Sequence, residues 1–137
     1  MMTALGIVML GLAADLVVSP IARGPVSPVA EPRQAVARSP AEWEALWKAH
    51  ATARPAPAVD FSSEMVAAVF LGARPSGGFG VEITGARLDG ETLVIHYVEQ
   101  RPGRRDVVTQ MLTSPFHIVR LPHHPGAVRF EAVPPMR

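Results

Sequence analysis

The sequence predicts an α+β fold: a mostly antiparallel β-sheet or sandwich of about six to seven strands, with one N-terminal amphipathic helix packed on it. Three observations carry this expectation. An apolar run, Met65–Leu71, leads into a Pro- and Gly-rich hexapeptide, Arg74-Pro75-Ser76-Gly77-Gly78-Phe79, and reads as a buried strand feeding a tight turn. Two β-rich segments flank Asp89-Gly90, a favoured hairpin turn because glycine tolerates the positive φ that it requires. Only Trp43–His50 carries apolar residues at helical spacing under strong start signals.

The elements follow in order. Met1–Ala14 is almost wholly apolar, about the length of a signal-peptide h-region, and Gly11-Leu12-Ala13 is a passable small-residue cleavage pattern. No Lys or Arg precedes Arg23, and Asp15 stops the run well short of the roughly 20 residues that span a bilayer. Residues 1–24 therefore read as a signal-like leader, with a mis-assigned start or a structural segment as the alternatives. An export signal would place the protein in the periplasm or cell envelope; otherwise it is cytoplasmic. Residues 25–38 form a Pro-rich linker, and Arg33–Arg38 is able to supply a short edge strand.

Residues 39–137 make the domain proper. Ser39 is the expected helix N-cap, Pro40 takes the first helical position, and Glu42 completes a Ser-x-x-Glu capping box. Trp43, Leu46, Trp47 and His50 form one apolar stripe, and Lys48 and His50 suit the negative end of the helix dipole. Pro55 and Pro57 prevent continuation. Met65–Ala73 is expected to be the central strand. Gly80–Leu88 and Glu91–Gln100 form the hairpin; with Asp89-Gly90 as its loop, Val81, Ile83, Val94, His96 and Val98 share one face. Ala86, Leu88, Leu93, Ile95 and Tyr97 then share the other, and both faces read as covered. Asp106–Thr113, Phe116–Leu121 and Ala127–Val133 read as further strands, joined by turns at Ser114-Pro115 and Pro122–Gly126.

Composition narrows the function. A chain of 137 residues with 48% hydrophobic content is one ordered domain. A net charge of +1 gives no reason to expect nucleic acid. With no cysteine, disulfides, thiolate metal sites and Cys nucleophiles are excluded.

No catalytic set emerges. His123 and His124 are adjacent in extended chain and point to opposite sides, as in a solvated turn rather than a metal site. His96 falls among Val81, Ile83 and Val98 and reads as a buried, hydrogen-bonded core histidine. Ser76 lies in a glycine turn, but the pattern is not Gly-x-Ser-x-Gly and no helix follows, so its hydroxyl reads as a turn cap. Gly77-Gly78 lacks the following helix and the Lys-Ser/Thr of a phosphate loop. Asp60 and Glu64 resemble turn and edge residues, and Glu82 and Glu99 receive no geometry. Arg101, Arg104 and Arg105 read as a solvated hairpin loop or an anionic contact.

These residues resemble the PrcB C-terminal domain family, named from an accessory subunit of a bacterial secreted protease complex. The resemblance runs from about Trp43 to Phe130. It rests on Glu42-Trp43, Leu46-Trp47, Val59-Asp60-Phe61, Leu71-Gly72, Arg74–Phe79, Thr113-Ser114-Pro115-Phe116 and Val119-Arg120. The family pattern commonly has Thr before the glycine pair and Tyr after it, so Ser76 and Phe79 are mild departures. The resemblance implies a small, often exported, non-catalytic domain associated with proteolysis, with no cofactor and no catalytic residues to transfer. More loosely, Arg74–Phe79 is similar to the cleft-inserting loop of chagasin-type protease inhibitors.

The expectation is thus an accessory or binding domain that stabilises or assembles an exported protease complex. Its expected partner is a protein, with a protease as the candidate, and neither nucleic-acid binding nor a stable membrane span is expected. Partner contacts are expected at Arg74, Pro75, Ser76, Gly77, Gly78 and Phe79. The alternative is a protease inhibitor acting through the Arg74–Gly80 loop. A third reading gives Gly77-Gly78 a purely architectural role as a turn.

Overall fold

A computed structural model describes residues 15–51 and 53–135, which form seven strands and one helix. In chain order these are β1 (Ser19–Gly24), β2 (Arg33–Ala37), α1 (Pro40–His50), β3 (Glu64–Phe70), β4 (Gly80–Asp89), β5 (Thr92–Gln100), β6 (Phe116–Pro122) and β7 (Val128–Ala132). They make a sandwich. One sheet has the order β1-β6-β3-β2 and the other β4-β5-β7. Every pairing is antiparallel except β5 with β7.

Strand β3 is apolar on both faces because it is covered on both. Met65, Ala67, Val69 and Leu71 pack with Val81, Ile83, Ala86, Leu93, Ile95, Val119 and Leu121 between the two sheets. Val66, Ala68 and Phe70 face the other way, with Phe116 and Ile118, under Trp43, Leu46 and Trp47 of α1. The strand's two-residue period thus feeds two separate cores. The helix begins as its sequence specifies: extended Ser39 accepts from the Glu42 N–H at 3.2 Å. The Glu42 carboxylate reaches back one residue further than a capping box requires, accepting from the Arg38 N–H at 2.7 Å. Both indoles are satisfied, Trp43 by the Pro57 carbonyl at 2.8 Å and Trp47 by that of Arg54 at 2.9 Å. The segment after the helix is thereby folded back on it.

Arginines join the two sheets at their margins, in a chain that has no disulfide. Arg23 of β1 donates to the Val81 carbonyl at 3.0 Å and to Gln100 at 3.2 Å. Arg38, just past β2, donates to the carbonyls of His124 at 2.9 Å and Gly126 at 2.6 Å. A third joint, from Arg74, belongs to the candidate site.

Four expectations are corrected. Ser19–Gly24, read as the end of the signal-like leader, is a strand on the β6 edge; Pro20 adjoins a bulge, where an edge strand tolerates it. Whether the leader is cleaved concerns residues 1–14, which lie outside the described residues. Asp106–Thr113 is not a strand but an irregular loop with a single bridge, Arg74 to Thr113. The hairpin loop is Gly90-Glu91, because Asp89 pairs with Thr92, and β4 carries a bulge at Thr84. The loop moves the register by two residues and leaves the faces alone, whereas the bulge puts Val81 and Ile83 on one face with Ala86, Leu93, Ile95 and Tyr97. The opposite face is not covered throughout: Thr84 and Arg87 are exposed. Finally, Pro122–Gly126 is not a hairpin tip; it carries the chain from one sheet to the other.

Candidate functional site

The Arg74–Phe79 turn lies where β3 leaves its sheet to reach β4. The chain exits through Gly72, at φ +81°, where a Cβ would stand 2.7 Å from the Pro32 nitrogen. Arg74 and Thr113 then exchange two backbone hydrogen bonds, at 2.7 and 3.0 Å. Gly77 donates to the Thr109 carbonyl at 2.9 Å, and the Thr113 hydroxyl donates to the Ser76 carbonyl at 2.8 Å. Gly78 has φ +91°, and a Cβ there would stand 2.8 Å from Pro102 Cβ and 2.9 Å from Val108 Cγ1. Glycine is required at 78 on both conformational and steric grounds.

The side chains complete the brace. Arg74 donates from Nε and Nη2 to Glu99 Oε2, at 3.3 and 3.0 Å, and from Nη1 to the Leu71 and Ala73 carbonyls. Its guanidinium carbon lies 5.8 Å from the centre of the Phe79 ring. Arg101 approaches the same Glu99 oxygen at 3.5 Å. Pro75 and Gly78 are exposed, whereas Arg74, Ser76, Gly77 and Phe79 are half-buried. The six predicted residues therefore come together as one rigid knuckle. Its display consists of Pro75, the Gly78 backbone and the rim of Phe79, while Arg74 serves chiefly as its anchor.

Beside the knuckle the Arg101–Leu112 loop arches over the glycines, pinned by Gly103 N–H to Asp106 Oδ2 at 2.6 Å. Val107 is 100% exposed, Leu112 73% and Met111 55%. On the other flank an open groove of about 410 Å³ is lined by Arg33, Gln34, Leu71, Tyr97 and Glu99, among others. Sequence reasoning missed the supporting partners Glu99, Thr109 and Thr113. Thr113 lay in the Thr-Ser-Pro-Phe motif and Glu99 ended a predicted strand, but nothing local linked either to the turn.

The histidines sit elsewhere. Among the described residues no group of three His, Asp or Glu is placed to hold a metal ion. Ser76 spends its hydroxyl on the Gly77 carbonyl at 2.9 Å. His96 is not a core residue; it lies half-buried on the outer face, 3.2 Å from Glu131 of β7. His124 contacts the Glu91 carbonyl at 2.8 Å, and the His123 backbone N–H donates to Ser63. His117 is buried between the sheets, where its Nδ1 accepts from the Ile83 N–H at 2.8 Å. Burial first, and the Arg23 charge second, push its pKa down to about 4, against a smaller opposing effect of Glu82.

His50 also departs from expectation. It is not a cation at the helix end. Burial and then the Arg54 charge hold it below its ordinary pKa, and its Nδ1 lies 3.0 Å from the Ser27 hydroxyl. Ser27 also accepts from Val29 and is interlocked with Ser114, so this buried Ser–His pair ties the Pro-rich segment to the helix. Its surroundings are structural. At the entrance to β3, Asp60 is the expected turn residue: hydrogen bonds from Ser62 hold its carboxyl below the usual range.

Residues 65–122, from β3 to the end of β6 with the turn inside them, match the model of the PrcB C-terminal family. No curated protein and no solved structure matches the chain.

Proposed function

From the match of residues 65–122 to the PrcB C-terminal family and the braced turn inside them, we propose a non-catalytic accessory domain that binds a protease and stabilises or assembles its complex outside the cytoplasm. The family name supplies the association with proteolysis. What supports recognition in particular is the knuckle itself. Two positive-φ glycines, a backbone pair to Thr113 and the Arg74–Glu99 joint hold it, yet Pro75 and Gly78 face solvent. A stiff, preformed surface loses little conformational entropy on binding. The inhibitor reading uses the same knuckle as a plug for a protease cleft, and its likeness to a cleft-inserting loop is confined to Arg74–Phe79.

The test uses the full chain as bait on envelope and secreted fractions of its own cells. Captured proteins are identified by mass spectrometry, and any protease is assayed with and without the chain. An accessory domain lengthens the lifetime of protease activity; an inhibitor silences it. Capture of no protease contradicts both.

A further inference from the structure

We propose that the Arg101–Leu112 loop is a peripheral contact with an anionic lipid surface, independent of the protease reading. Large aliphatic side chains seldom protrude together from one loop without an acceptor. Here Val107, Met111 and Leu112 all do so. They do not project by slackness: Gly77 holds the Thr109 carbonyl, Arg74 pairs with Thr113, and Pro102 and Val108 press on Gly78. Charge accompanies them. Arg101, Arg104 and Arg105 against Asp106 give this loop +2 in a chain whose total is +1, so the remainder sums to −1.

The chemistry of the acceptor follows from the shape. Open grooves of about 350 to 450 Å³ are lined by other segments, so this loop is a projecting tip rather than a peptide-binding cleft. A bilayer surface offers what the tip lacks: anionic headgroups for the arginines, with an apolar layer just beneath for the aliphatic side chains. The contact is interfacial, and no described helix is long and apolar enough to cross a membrane.

Sedimentation of the full chain with vesicles tests this, using equimolar phosphatidylglycerol and phosphatidylcholine against phosphatidylcholine alone. The native chain is expected to partition to the anionic vesicles and to be released by salt. Arg104→Glu with Arg105→Glu should weaken partitioning by at least about tenfold. Val107→Ser with Leu112→Ser should weaken it comparably, and neither pair should shift the melting temperature because all four side chains are exposed. Any contribution of the apolar residues 1–14 is common to every variant, so binding that is indifferent to both pairs overturns the proposal. Equal binding to both vesicle types also overturns it. So does no binding at all, which would leave a protein surface as the reader of this loop.

Discussion

Arg74 and Glu99 lock the two sheets together at one end of the sandwich. The guanidinium sits 3.0 Å from a carboxylate oxygen on the last turn-ward residues of β5, and the two side chains are only 24% and 20% exposed. Arg74 also ties down the carbonyls at its own exit from β3, so one side chain fixes both the position and the direction of the knuckle. A double-mutant cycle with Arg74→Met and Glu99→Gln is expected to give a coupling of about 1 kcal/mol in urea unfolding, above that of most exposed pairs. Additive effects would mean that the pair is incidental.

The glycines rank by what their missing Cβ would meet. Gly72→Ala and Gly78→Ala combine a left-handed backbone with contacts below 3.0 Å to Pro32 and Pro102. Each should destabilise by more than about 1 kcal/mol. Gly90 shares the positive φ but faces open space, so Gly90→Asn should be nearly neutral. Gly85 has neither constraint, and Gly85→Ala should leave the melting temperature unchanged.

Stability should fall on mild acidification. His117 titrates at about 4 in the folded chain against an ordinary value of 6.5, so the unfolded chain binds its proton first. Stability is therefore full above pH 6.5 and decreases as pH falls, by about 3 kcal/mol at pH 4. The cause is geometric as well: a proton on Nδ1 would confront the Ile83 N–H that it now accepts. His117→Gln should flatten most of this slope in urea titrations at several pH values. The shallower remainder comes from His50, whose shift has the same sign.

Removing the Ser27 hydroxyl should loosen the Pro-rich segment. Ser27→Ala leaves the buried His50 Nδ1 and the Val29 N–H without their partner, a loss of about 1–3 kcal/mol. Hydrogen exchange should show faster opening around residues 25–29, while the β4–β5 hairpin keeps its protection.

What the sequence disclosed was local or periodic. The helix announced itself through Ser39, Pro40 and the tryptophan stripe, and β3 through unbroken apolarity that reflects its two covered faces. The six residues of the turn were legible because glycine spacing encodes backbone shape. Long-range facts were not. Thr84 bulges without any distinctive residue type, and that single insertion moved His96 from the expected core to the outer face. Val107-Val108-Thr109 has strand composition, but the segment must bend around Gly77 and Gly78, so its backbone groups pair singly and no strand forms. Glu99 became part of the site only through pairing across sheets, which no local pattern records.

The most direct test of the proposed recognition surface is quantitative capture, by the native chain and by Pro75→Glu, of whichever protease the bait experiment identifies. Pro75 is exposed, so the variant should melt with the native protein. The account predicts that capture falls at least about tenfold, since a charge forced into a desolvated contact costs more than 1.4 kcal/mol. Undiminished capture by an equally stable variant would contradict it and reduce the knuckle to a structural turn.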